Sequence, residues 1–98
     1  SSAVANVPKK LNYEEDKLMT LKFLNPTWIQ LRDNSNNIII SKLMEKNEEF
    51  SYKMNLNYNI TSGNAGNILV TLDNNVKGKL GKFGEVIDSF IIDQQFSN

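Results

Sequence analysis

Residues 18–33 read LMTLKFLNPTWIQLRD and carry the clearest β-strand pattern in the sequence. Met19, Leu21 and Phe23 alternate with polar residues, which is the period of two that is typical of a β-strand with one buried face. Pro26 interrupts the run, because proline has no N–H group to donate to a strand ladder. The stretch therefore predicts one short strand before Pro26 and leaves room for a second one after it.

The second half of this stretch predicts that second strand. Ile29 and Leu31 are expected on its buried face, with Trp28, Gln30 and Arg32 on the opposite face. The next five residues, DNSNN, are all turn formers, so a hairpin turn is expected to follow. An isoleucine triplet comes next, and its β-branched side chains favour a third strand.

Residues 42–54 fit two descriptions. A helical period fits the spacing of Leu43, Asn47, Phe50 and Met54. Phe50, Tyr52 and Met54, however, alternate as they would in a strand. We favour a turn followed by a strand, because Asn47 interrupts the apolar stripe that a helix would need to bury.

The remaining chain repeats the pattern of short strands and turns. Strands are predicted at residues 58–60, 68–72 and 86–92, separated by segments rich in asparagine and glycine. This pattern predicts an all-β fold, a small antiparallel β-sandwich of about seven short strands. The length suits one domain, which is expected over residues 16–98, after a flexible linker or tail at residues 1–15.

The charge of the chain argues against some classes of partner. The 11 basic and 11 acidic residues give a formal net charge of zero. Binding of nucleic acid needs a basic surface that displaces counterions from phosphates, so no nucleic acid is expected as a partner. Lys77, Lys79 and Lys82 form a loose cluster among glycines, which we interpret as a solvated loop. No apolar run approaches the roughly 20 residues that span a bilayer, so any membrane anchor is expected outside this sequence.

Residue types that carry much of protein chemistry are missing from the sequence. It contains no histidine and no cysteine, which removes the commonest general base and the usual zinc ligands. Asp33, Ser35 and Asn37 match the first positions of a calcium-binding EF-hand loop. Ile38 and Met44, however, stand where that loop needs glycine and glutamate. We therefore expect no enzyme activity, no metal and no cofactor.

Three aromatic residues are candidates for an interaction surface, namely Trp28, Tyr52 and Tyr58. One hypothesis is that they stack on sugar rings, with the lone tryptophan as the main platform. The other interpretation is that Trp28 packs at the sandwich edge with its indole N–H hydrogen-bonded, and that the tyrosines pack in the core or form cross-strand pairs. The last predicted strand, residues 86–92, is apolar on both expected faces, which would allow weak self-association.

Three motifs together resemble a known family. Residues 28–33 (WIQLRD), 62–68 (SGNAGNI) and 80–86 (LGKFGEV) are similar, in order and spacing, to motifs of the C-terminal domain of the bacterial cell-shape protein RodZ. The departures lie in turns, where asparagine stands in place of a glycine that is common in the family. Asparagine tolerates left-handed backbone better than other side chains do, so turn type is affected more than fold.

The resemblance implies a periplasmic β-sandwich that a single membrane helix and a linker hold outside the inner membrane. It implies a domain without catalytic residues, which contacts periplasmic or inner-membrane wall-synthesis proteins. Through them it would help couple the MreB cytoskeleton to cell-wall synthesis and rod shape. The alternative function is a glycan-binding module that recognises peptidoglycan through Trp28 and the two tyrosines. A third interpretation, an extracellular adhesion or appendage subunit, rests on the sandwich fold alone.

Overall fold

The computed structural model describes residues 17–98, in which eight short antiparallel strands form two sheets. The strands are β1 (Leu18–Phe23), β2 (Thr27–Arg32), β3 (Ile38–Met44), β4 (Glu49–Lys53), β5 (Asn59–Ser62), β6 (Ile68–Leu72), β7 (Asn75–Lys79) and β8 (Ile87–Ile91). Two single 3₁₀ turns, Met54–Leu56 and Ala65–Asn67, precede β5 and β6. The predicted all-β class is confirmed, with eight strands instead of about seven.

Each sheet contains four strands. Sheet A has the order β4-β1-β6-β7, and sheet B has the order β3-β2-β5-β8. Two hairpins, β2–β3 and β6–β7, join neighbours within a sheet, while the other connections cross between the sheets. The turn of the second hairpin holds Asp73 and Asn74, both with positive φ (52° and 70°), as the hairpin turn that matches strand twist requires.

The core is built from the inward faces of both sheets. In sheet A the alternating residues of β1 and β6 are buried, and in sheet B those of β2 and β5. The central side chains are Met19, Leu21, Phe23, Ile29, Leu31, Ile60, Ile68 and Val70, each with no exposed surface. The alternation that residues 18–33 show in sequence therefore separates the buried face of each strand from its outer face.

Residues 42–54 contain no helix longer than one 3₁₀ turn at their end. The strand β3 runs to Met44, a turn follows, and β4 begins at Glu49. The turn is held by Glu48, whose Oε1 accepts a hydrogen bond from the N–H of Glu45 at 2.7 Å. Lys42 pairs with the other oxygen of Glu48 at 3.4 Å. The prediction of a turn followed by a strand is confirmed.

Two details of the C-terminal half differ from the predictions. Lys77 and Lys79 do not lie in a loop, because Asn75–Lys79 forms β7 and pairs with β6. The last strand does not have two simple alternating faces. Ser62 pairs with Ile87 and Ile60 with Phe90, so β8 carries one extra residue, and Ser89 adopts a positive φ of 56° in this bulge.

The C-terminal segment closes one side of the sandwich. Asn98 donates from its backbone N–H to the carbonyl of Lys77 and from Nδ2 to that of Lys79, each at 2.9 Å. Phe96 packs against the core and meets Phe90 edge-on, with ring centroids 6.5 Å apart. The segment therefore joins the end of sheet B to the edge strand β7 of sheet A.

The expected tail at residues 1–15 lies outside the described residues. Between residues 17 and 98, no helix has the length and hydropathy to cross a bilayer.

Candidate interaction surface

The outer face of sheet B carries Trp28 and is the candidate interaction surface. Because side chains alternate along a strand, Trp28, Gln30 and Arg32 share this face of β2. The register places Leu43 opposite Trp28 on β3, so two large apolar side chains lie side by side at one end of the face. Trp28 is 43% exposed and Leu43 is also exposed.

Trp28 has open space on its other side. Ile29 pairs with Ser62, so continuing the register beyond β5 places Gly63 beside Trp28. A Cβ atom added to Gly63 would meet no atom within 4 Å. The position beside Trp28 on this side therefore carries no side chain.

A row of polar side chains crosses the middle of the face. Gln30 lies between Ser41 on β3 and Thr61 on β5, and its Nε2 donates to the hydroxyl of Ser41 at 3.4 Å. The hydroxyl of Thr61 donates to Oδ1 of Asp88 at 3.1 Å and accepts from the N–H of Ser89 at 3.1 Å. These contacts fix hydroxyl, amide and carboxylate groups on the sheet beside the exposed tryptophan.

Arg32 lies at the far end of the face from Trp28. Its Nε donates to Oε1 of Gln30 at 3.2 Å, and its Nη1 donates to Oδ1 of Asn36 at 3.0 Å. Asn36 belongs to the turn between β2 and β3 and adopts a positive φ of 68°. The guanidinium group is thus held between a strand residue and a turn residue.

Asp33 organises that turn. Its Oδ1 accepts from the N–H groups of Ser35 at 2.9 Å and Asn37 at 2.8 Å, and its Oδ2 accepts from Nδ2 of Asn37 at 3.1 Å. The hydrogen bonds from Asn37, supported by that from Ser35, lower the pKa of the Asp33 carboxyl below its ordinary value. The segment that resembles part of an EF-hand loop is therefore an ordinary turn closed by a carboxylate.

The two candidate tyrosines lie away from this surface. Tyr52 belongs to β4 of sheet A, points inward and is only 6% exposed. Tyr58 is half-buried and stacks on Tyr52, with ring centroids 5.1 Å apart. Of the three predicted residues only Trp28 offers an exposed ring, and the tyrosines form a pair against the core. Sequence reasoning missed Leu43, Ser41 and Thr61, because only the strand register brings them beside Trp28.

Two of the three recognised motifs contact each other. Residues 62–68 and 80–86, which we call the two-loop clasp, are joined by backbone hydrogen bonds from Ala65 N–H to the Glu85 carbonyl at 2.8 Å and from Gly81 N–H to the Ala65 carbonyl at 3.3 Å. A third backbone bond runs from Leu80 N–H to the Ile68 carbonyl at 2.8 Å. The side chain of Asn64 adds a fourth link, because its Oδ1 accepts from the N–H of Gly84 at 2.7 Å.

The glycines of the clasp allow this close approach. A Cβ atom on Gly66 would lie 2.4 Å from the Cα atom of Phe83, which leaves no room for any side chain. Gly84 adopts a positive φ of 83° at the tip of the second loop. The clasp holds Phe83 at 84% exposure. Gly66 and Gly84 thus have a structural reason in this chain, whereas Gly63 has room for a side chain.

No group of three or more Asp and Glu side chains between residues 17 and 98 is arranged to hold a metal ion. The sequence also supplies no histidine or cysteine. The candidate interaction surface can stack a ligand on the ring of Trp28, donate and accept hydrogen bonds, and attract an anion through Arg32.

The chain was compared with known proteins and protein families. The comparison with curated proteins and that with solved structures each found no match. A family model described as the RodZ C-terminal domain matches residues 20–87. The match includes the tryptophan-bearing strand and both loops of the clasp. It begins within β1, covers β2 to β7 completely and ends at the first residue of β8. Because the matched residues make up well over half of the sequence, this chain belongs to the RodZ C-terminal domain family.

Proposed function

We propose that this chain is a non-catalytic interaction domain of a RodZ-like membrane protein. It works in the periplasm, contacts wall-synthesis proteins there, and helps couple the MreB cytoskeleton to cell-wall synthesis and rod shape. The observation that carries the proposal is the family match over residues 20–87. The outer face of sheet B supports it, because exposed Trp28 and Leu43 offer the aromatic and aliphatic contacts that interface centres use.

The test replaces the apolar pair on this face in the full-length protein. Trp28→Ser with Leu43→Ser is expected to disturb rod shape and to abolish cross-links between the domain and periplasmic wall-synthesis proteins. The matched control is Val76→Ser, which removes an exposed apolar side chain from β7 in sheet A. The control should leave shape and cross-links unchanged.

Circular dichroism and urea unfolding of the isolated domain would establish that both variants fold. Normal rod shape with unchanged cross-links in a folded double variant would contradict the proposed surface. Hydrolysis of wall polymers by the purified domain would contradict the non-catalytic role.

Glycan binding is the second candidate function, and one specific observation favours it. Trp28 has an exposed ring with open space at Gly63, and a row of fixed hydrogen-bonding groups crosses the sheet next to it. Sugar rings present an apolar face and several hydroxyl groups, so a flat aromatic ring beside polar side chains is suited to bind them.

An amide-resolved NMR titration with soluble peptidoglycan fragments tests this second function. Shifts confined to Trp28, Gln30 and Thr61 would support it and define the site. No shifts at millimolar fragment would exclude it and leave the protein-interaction role alone.

A further inference from the structure

We propose that Arg32 makes the outer face of sheet B selective for saccharides that carry a carboxylate group. In this arrangement a sugar ring stacks on Trp28 and the carboxylate pairs with the guanidinium of Arg32. The inference rests on the glycan-binding candidate function and deepens it by naming the class of sugar.

The guanidinium of Arg32 is oriented but not neutralised. Both of its hydrogen-bond partners are uncharged amide oxygens, from Gln30 and Asn36. No carboxylate between residues 17 and 98 forms an ion pair with it. These two contacts use one N–H of Nε and one of Nη1, so further donors of the planar fork remain available for a bidentate pair with a carboxylate.

The supports of Arg32 are themselves fixed. The amide group of Gln30 accepts from Arg32 through Oε1 and is also held through Nε2, which donates to the hydroxyl of Ser41. Asn36 lies in the turn that the Asp33 carboxylate closes with three hydrogen bonds. A side chain that is already oriented loses less entropy when it binds an anion, which favours affinity.

The spacing on β2 suits a ligand longer than one sugar ring. Trp28 and Arg32 are four positions apart on one face of the strand, which corresponds to about 13 Å between their Cα atoms. Gln30 lies between them and can hydrogen-bond a hydroxyl group of the ligand. An oligosaccharide lying along β2 would therefore reach both ends of the face.

The acidic side chains nearby leave this end of the face open to an anion. Asp88 lies on β8, two strands away from β2, or about 10 Å across the sheet. Asp33 follows Arg32 in sequence, but its carboxylate oxygens are occupied by the N–H groups of the turn. The Asp33 carboxylate keeps its negative charge, but neither it nor Asp88 forms an ion pair with Arg32.

The test uses fluorescence of Trp28, the only tryptophan in the chain, as the readout. The probes are the disaccharide of N-acetylglucosamine and N-acetylmuramic acid, which carries a carboxylate, and the methyl ester of the same disaccharide. We expect the acid to bind about tenfold more tightly than the ester, because a charge-assisted bidentate pair is formed only with the acid.

Two variants separate the role of Arg32 from a general effect of charge. Arg32→Gln is expected to remove the preference for the acid, so that acid and ester bind with equal affinity. Lys53→Gln removes one positive charge from exposed Lys53 on β4 of sheet A and should preserve the preference.

The outcomes distinguish the inference from the function on which it rests. Equal binding of acid and ester by the unaltered domain would overturn the role of Arg32 while leaving glycan binding intact. A preference that survives Arg32→Gln would overturn it as well. Failure of both sugars to change the fluorescence of Trp28, or to shift its NMR signals, would overturn glycan binding itself and this inference with it.

Discussion

Tyr52 carries a buried hydroxyl group for which no hydrogen-bond partner is found in the described part of the chain. Burial raises the pKa of Tyr52, so the phenol stays neutral throughout the physiological range. A buried polar group without a partner destabilises the fold, because it loses its hydrogen bonds to water. The ring nevertheless contributes packing, through contacts with Tyr58 and Phe50.

We expect Tyr52→Phe to raise the free energy of unfolding by about 1 kcal/mol, since it removes the hydroxyl and keeps the ring. Urea unfolding at neutral pH measures the change. Tyr58→Phe is the control and should change stability by less, because Tyr58 is only half-buried. A clear loss of stability in Tyr52→Phe would show that the hydroxyl does have a partner.

The carboxylate of Asp33 gives the β2–β3 turn a defined pH dependence. Its hydrogen bonds from Asn37 and Ser35 favour the ionised form in the folded protein, which lowers the pKa of Asp33. A group whose folded pKa is lowered stabilises the fold above its unfolded pKa, and this contribution disappears as pH falls through the folded value. The relevant window therefore lies below about pH 4.

Asp33→Asn is expected to lower the free energy of unfolding at pH 7, because an amide oxygen accepts these hydrogen bonds more weakly. The difference from the unaltered protein should shrink as pH falls below about 4, because the Asp33 carboxyl is progressively protonated there. Urea unfolding at several pH values checks this. Glu49→Gln removes the same charge from an exposed position on β4 and should show no such convergence. A pH-independent difference for Asp33→Asn would contradict the electrostatic explanation.

At the scale of elements, the two-loop clasp depends on the absence of a side chain at Gly66. Gly66→Ala would place a Cβ atom against the backbone of Phe83, so the second loop must move. We expect a loss of about 1–3 kcal/mol, the usual result of overpacking a rigid site. The matched control is Gly63→Ala, where the Cβ atom has open space.

Thermal unfolding of both alanine variants measures this difference. Gly63→Ala should stay within about 0.5 kcal/mol of the unaltered domain. Equal stability of the two variants would show that residues 80–86 can move away at no cost. The clasp would then not be the rigid element described above.

The sequence predicts the strands in which apolar and polar side chains alternate, and it misses β7, in which they do not. Strands β1, β2 and β6 show an apolar period of two, and each appears where it is expected. Strand β7 has the sequence NVKGK, with one apolar residue and a glycine at φ 117°. It is extended because β6 and Asn98 pair with it, and neither contact is visible in local sequence.

The sequence predicts the β2 residues of the candidate surface but not the residues that neighbouring strands contribute to it. Alternation along β2 alone places Trp28, Gln30 and Arg32 on one outer face, and the structure confirms that placement. The inward direction of Tyr52 depends on which face of β4 meets the core, and the presence of Leu43 and Thr61 depends on register. Register is set by pairing between distant segments, which a single sequence does not specify.

At the scale of the whole molecule, the C-terminal segment ties the two sheets together through Phe96 and Asn98. Phe96→Ala is expected to cost about 1–2 kcal/mol, roughly half the value of a fully buried aromatic side chain, because Phe96 is half-buried against the core. Phe83→Ala makes the same substitution at an exposed position and should cost less than about 0.5 kcal/mol.

Urea unfolding of the two phenylalanine variants gives this comparison directly. Amide hydrogen exchange adds a local test, because loosening the segment should speed exchange in β7 and β8 before it affects β1. A Phe96→Ala variant as stable as Phe83→Ala would show that the segment does not hold the sheets together.

The position of β1 between β4 and β6 has a consequence for the order in which the chain folds. Met19 pairs with Leu72, more than half of the sequence away, and β4 on the other side is also distant. Such long loops must close before their contacts stabilise anything, so we expect folding in milliseconds to seconds and not in microseconds. During synthesis, β1 has no complete sheet to join until β6 has emerged. The central pairing of sheet A can therefore be completed only late in synthesis.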